Sequence, residues 1–128
     1  MDPQTRYYET RLETRHPPPD SRERLLNLFL GWLEANKGYR GNWERLDHWW
    51  VEFPADDNGE PWREIGFDAE GVAIVAGPSR RNYGFWCDME MTLADFQQRD
   101  EHLVAVSRQD FEDAWVRFFA TADDEPDD

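Results

Sequence analysis

Leu46-Asp47-His48-Trp49-Trp50-Val51-Glu52-Phe53 is the stretch on which the fold turns. Trp49, Val51 and Phe53 alternate with His48, Trp50 and Glu52, a period of two residues rather than the roughly 3.6 of a helix. The stretch reads as a strand. Asp56-Asp57-Asn58-Gly59 is a tight-turn signal that leads into a second strand around Trp62 to Phe67. Asp68-Ala69-Glu70-Gly71 then reads as a short hairpin loop with Gly71 at a position of positive φ, followed by an apolar strand from Val72 to Ala76. Loops this short force antiparallel neighbours, because a parallel connection needs a crossover of about a dozen residues. A fourth strand is expected across Asn82 to Asp88, and a short fifth one within His102 to Val106.

Helical signals flank these strands. Asp20 and Ser21 are N-cap residues, and Leu25, Leu28, Phe29 and Trp32 follow as an amphipathic stripe that Leu26, Leu30 and Leu33 widen. Lys37 and Gly38 mark the end of this helix. Thr92 caps a brief helix through Phe96, and Ser107 with Asp110 resembles a capping box ahead of Phe111, Ala114, Trp115 and Phe118. The expected fold is α+β: an antiparallel meander sheet of four or five strands, packed on one face by an N-terminal and a C-terminal helix. Residues 1–19, ending in His16-Pro17-Pro18-Pro19, read as an N-terminal arm, 20–122 as a single domain, and 123–128 as a disordered acidic tail.

With 128 residues, 15% of them aromatic and seven of those tryptophan, the chain can bury one modest core. Its formal charge of −14 is unevenly placed. From Leu46 to Asp128 there are twenty-one carboxylates against six arginines, whereas residues 1–45 come out near +1. A field of that sign repels nucleic acid phosphates and anionic lipid and attracts cationic surfaces, so direct nucleic-acid binding and membrane association are not expected. There is no run of eighteen apolar residues and no apolar signal region at the N-terminus, which points to the cytoplasm. Cys87 is the single cysteine, and neither it nor His16, His48 or His102 stands at metal-ligand spacing, so no metal and no cofactor are expected.

Candidate binding residues come from the strand pattern. Trp49 and Trp50 are neighbours on a strand and point to opposite faces, as do Trp86 and its neighbours Phe85 and Cys87. If the helices cover the Trp49 face, Trp50 and Trp86 become interface anchors; if the other face is also covered, both are core. Arg80, Arg81, Asn82 and Tyr83 form the one basic cluster of the second half, able to hold an anion bidentately or to pair with nearby carboxylates. Asp56, Asp57, Glu64, Asp88 and Glu90 complete the expected partner-binding set with Trp50, Arg80, Arg81, Tyr83 and Trp86. Catalytic readings are weak: carboxylates such as Asp88 and Glu90 fall near one another by chance at this density, and nothing brings Cys87 to His48 or His102. No catalytic residue is assigned, and an enzyme is not expected.

The general plan of helix, antiparallel meander and helix, with strand tryptophans and the segment Asn82-Tyr83-Gly84-Phe85-Trp86, resembles the immunity proteins of bacterial toxin systems. That resemblance implies a protein that blocks a cationic toxin domain by binding it. Two other classes use the same features: an acidic DNA mimic that inhibits a nucleic-acid-binding protein, and a small-ligand or sugar-binding domain in which Trp50, Trp86 and Tyr83 stack on the ligand beside Asn82 and Asp88. Because Asp123 to Asp128 adds charge with nothing to bury, deleting it should leave the melting temperature within about one degree by calorimetry. A loss of several degrees would show that the segment docks.

Overall fold

The computed structural model describes residues 5–10, 42–54, 59–80, 84, 92–99 and 103–121. Strands β1 (Arg6–Thr10), β2 (His48–Phe53), β3 (Arg63–Phe67), β4 (Ala73–Gly77) and β5 (Val104–Val106) form one antiparallel sheet in the order β4-β3-β2-β1-β5. Two α-helices belong with it, α1 (Leu93–Arg99) and α2 (Arg108–Thr121), and a 3-10 turn at Trp43–Arg45 leads into β2. The class is α+β. The meander expected from the sequence holds for β2, β3 and β4. On the other side of β2 lies β1, so Arg6–Thr10 is an interior strand of the sheet and not part of an arm. The expected helix beginning at Asp20 and most of the expected strand from Asn82 to Asp88 lie outside the described residues.

Local chemistry sets the element ends. The Asp95 N–H donates to Thr92 Oγ1 at 3.3 Å while the Thr92 N–H donates to Asp95 Oδ2 at 2.9 Å, a reciprocal cap on α1. Helix α2 is capped by Ser107, whose Oγ accepts from the Asp110 N–H at 3.1 Å. In the β3–β4 loop the Asp68 carboxylate accepts from the N–H groups of Glu70 and Val72, both at 2.9 Å, and Gly71 adopts the left-handed backbone its position requires, at φ +83°.

Alternation along β2 feeds two separate cores. Trp49, Val51 and Phe53 join Leu46, Val75, Leu93 and Phe96 on the side where α1 packs, with the rings of Phe53 and Phe96 5.1 Å apart. Tyr7, Ile65, Phe67 and Ala76 join Phe111 and Trp115 of α2 on the opposite side. α1 and α2 therefore sit on opposite faces, while the N-terminal helix expected on the same face as α2 lies outside the described residues. A sheet buried on both sides needs apolar groups at successive strand positions, and the adjacent Trp49 and Trp50 supply them.

Trp49 pairs with Gly66 across β2 and β3. A Cβ at Gly66 would stand 2.5 Å from Leu46 Cδ2, 2.6 Å from Val75 Cγ2 and 3.2 Å from Trp49 Cζ3. The bare glycine is what lets the indole of Trp49 lie close against β3. Opposite Gly66, the pairing skips from Val75 to Ala73, a bulge that leaves Ile74 on the Trp49 side, and Asn42 Nδ2 donates to the Ile74 carbonyl at 3.4 Å. Gly66→Ala should lower stability by about 1 to 3 kcal/mol, a fall in melting temperature of roughly 4 °C or more. An unchanged melting curve would contradict the close contact.

Candidate functional site

Strand register places Tyr7, Glu52 and Arg63 side by side on the face that α2 covers. Arg63 makes a two-pronged contact with Glu52, Nε donating to Oε1 at 2.7 Å and Nη2 to Oε2 at 2.6 Å. The same guanidinium reaches up to α2, with Nη2 donating to Glu112 Oε1 at 2.6 Å and Nη1 to Oε2 at 3.3 Å. Its carbon lies 5.0 Å from the ring centres of both Phe111 and Trp115. One cation thus satisfies a carboxylate of the sheet and one of the helix while stacking on two helix aromatics. Arg108, at the start of α2, reaches over the Tyr7 ring at 5.8 Å.

The proton equilibria follow from this arrangement. Burial pushes the Tyr7 phenol up to about 12, and its hydrogen bond to the Glu52 carboxylate adds to the effect. Burial works against the charge on Arg63, but the hydrogen bonds to Glu52 and Glu112 outweigh it and push the guanidinium further up. The hydrogen bond from Arg63 holds the Glu112 carboxyl below its ordinary value. Away from this cluster, the Val72 N–H does most to hold Asp68 below the usual carboxylate range.

A second polar cluster lies on the same face. Trp50 Nε1 donates to Glu9 Oε1 at 3.1 Å, and His48 Nε2 is 3.8 Å from the same oxygen. His48 Nδ1 is 2.8 Å from Asp47 Oδ2, and its ring stacks on Phe67 at 5.0 Å and 9°. Trp50 leans on Phe67 as well, at 4.6 Å. These contacts half-bury the indole, tie it to β1, and make Trp50 part of the internal lattice of the sheet, not an open stacking platform.

Of the expected partner-binding residues, Glu64 is fully buried at 0% exposure, opposite Val51, and cannot touch a partner surface. Arg80 is exposed. Asp56, Asp57, Arg81, Tyr83, Trp86, Asp88 and Glu90 lie outside the described residues, as do Cys87, His16 and His102. Sequence reasoning missed Arg63, for which no local signal exists because its two carboxylates come from β2 and α2. It also placed Trp62 inside a strand, whereas Trp62 precedes β3 and is 53% exposed. The one clue was Pro61 before it, since proline rarely continues a paired strand.

Among the described residues no three histidine, cysteine or acidic side chains come together as metal ligands. No helix among them is long and apolar enough to cross a membrane. No protein-family model matches the chain, and comparison with curated proteins and with solved structures finds no match.

Replacing Arg63 by Met leaves Glu52 buried without its fork and should cost about 3 kcal/mol in urea denaturation. A change under about 0.5 kcal/mol would show that the pairs contribute nothing net. Tyr7 makes a prediction at the alkaline end. A phenol held protonated in the folded state contributes stability that is full below about pH 10, its unfolded value, and is lost as pH rises toward about 12. Carbon NMR of ring-labelled tyrosine should find the Tyr7 signal titrating late, and Tyr7→Phe should flatten the stability loss across that window; titration of Tyr7 near 10 would contradict the buried hydrogen bond.

Proposed function

We propose that this chain is a non-catalytic binding protein that neutralises a cationic protein partner in the cytoplasm, in the manner of bacterial immunity proteins acting on a cognate toxin. The observation that carries the reading is the excess of carboxylates over bases from Leu46 to Asp128, twenty-one against six. Self-repulsion on this scale opposes folding, so a surface that retains it is matched to a partner of opposite sign. The sheet faces support the same reading from another side. Both are packed at their centre, one by α1 and one by α2, which turns recognition toward loops, helix exteriors and the β5 edge.

Opposite charge brings such partners together at rates near 10⁸ M⁻¹s⁻¹ at low salt, and buried anchors then set how long they stay together. The test is co-purification with the product of the adjacent gene, followed by stopped-flow binding. A one-to-one complex is expected, with an association rate that falls severalfold between about 0.02 and about 0.15 M salt and a dissociation rate that barely changes. Failure to form a complex, or an association rate indifferent to salt, would count against the proposal.

A further inference from the structure

Of the tryptophans whose side chains are described, one is left largely uncovered. Trp62 is 53% exposed, whereas Trp49 and Trp115 are buried and Trp50 is half-buried. Its backbone is fixed: the Trp62 N–H donates to the Glu52 carbonyl at 2.9 Å, Pro61 before it is buried, and Arg63 after it is gripped by two carboxylates. An indole presented on so rigid a base loses little conformational freedom when a partner covers it.

Resting on the reading of the chain as a binder of cationic protein, we propose that Trp62 is the anchor of the binding surface and takes an arginine side chain from a basic segment of the partner. The guanidinium stacks flat on the indole, and the exposed carboxylate of Glu60, two residues away, supplies the counter-charge. The nearest base in sequence does not oppose this, because Arg63 is already shared between Glu52 and Glu112. The chain-wide excess of carboxylates selects a basic occupant over a nucleic acid, a lipid or a neutral apolar peptide. Arginine is favoured over lysine because a planar, weakly hydrated cation covers an indole face and a compact, strongly hydrated ammonium does not. The protein uses the same recognition internally, where Arg63 lies against Trp115 and Phe111 with carboxylates at its nitrogens.

The test uses the full chain labelled with 5-fluorotryptophan and two probes, hexa-arginine amide and hexalysine amide, at near-physiological salt. The Trp62 fluorine signal, assigned by its loss in Trp62→Phe, should shift saturably with hexa-arginine. Trp62→Ala should weaken hexa-arginine binding about fivefold, weaken hexalysine binding less, and keep a melting temperature within about 2 °C of the parent. If hexa-arginine binds the parent and Trp62→Ala equally, the anchor assignment is wrong and the cationic-partner reading stands. If neither peptide binds the parent, the reading itself fails and the anchor falls with it.

Discussion

The guanidinium of Arg63 is the point through which sheet and helix are joined. From β3 it reaches sideways to Glu52 on β2 and upward to Glu112 on α2, and its face lies against Phe111 and Trp115. Removing two charges from water costs several kcal/mol per ion, and an ion pair repays that only with good geometry and satisfied hydrogen-bonding groups. Here the fork on Glu52 is bidentate at 2.6 and 2.7 Å, the Tyr7 hydroxyl donates to the same carboxylate, and Glu112 keeps a solvent-facing side. Such a cluster also fixes which way α2 can lie, because a helix rotated by one residue would lose both the Glu112 contact and the aromatic sandwich.

Behind that junction stands a division of labour within β2. Odd-numbered Trp49, Val51 and Phe53 supply the core under α1, and even-numbered His48, Trp50 and Glu52 face the side of α2, each with a polar contact of its own. One face carries the closely packed core beside Gly66, with Glu64 and Thr10 buried at its margin; the other is interleaved with hydrogen bonds and ion pairs. Polar groups on the second face restrict pairing choices, since Glu9 must meet Trp50 and Glu52 must meet Arg63 for all of them to be satisfied.

Much of the sheet was legible in the sequence because its signals are local. The alternation of β2, the positive φ at Gly71 and the caps at Thr92 and Ser107 each depend on a few adjacent residues, and each stands where the sequence places it. β1 was not legible: Arg6-Tyr7-Tyr8-Glu9-Thr10 is short, mixes charge with aromatics, and owes its place to β2, with Glu9 meeting Trp50 forty-one positions away. The side on which α2 packs was not legible either, since both faces of β2 carry tryptophan. Hence the sequence left Trp50 open between surface anchor and core, and Phe67 and Glu9 half-bury it. Glu64 looked like a surface acid for want of any sequence signal that a carboxylate is buried. Trp62 was hidden by the reverse error, a strand assigned one residue too early.

The most direct test of the junction is a double-mutant cycle on Glu52 and Arg63, using Glu52→Gln, Arg63→Met and the pair, with stability measured by urea denaturation. Two groups that act as one unit should show a coupling of at least about 1.5 kcal/mol, the double variant losing much less than the single losses added together. Additive losses, with coupling below about 0.3 kcal/mol, would mean that Glu52 and Arg63 do not act as a unit and that the charged base from which Arg63 reaches α2 is incidental to stability.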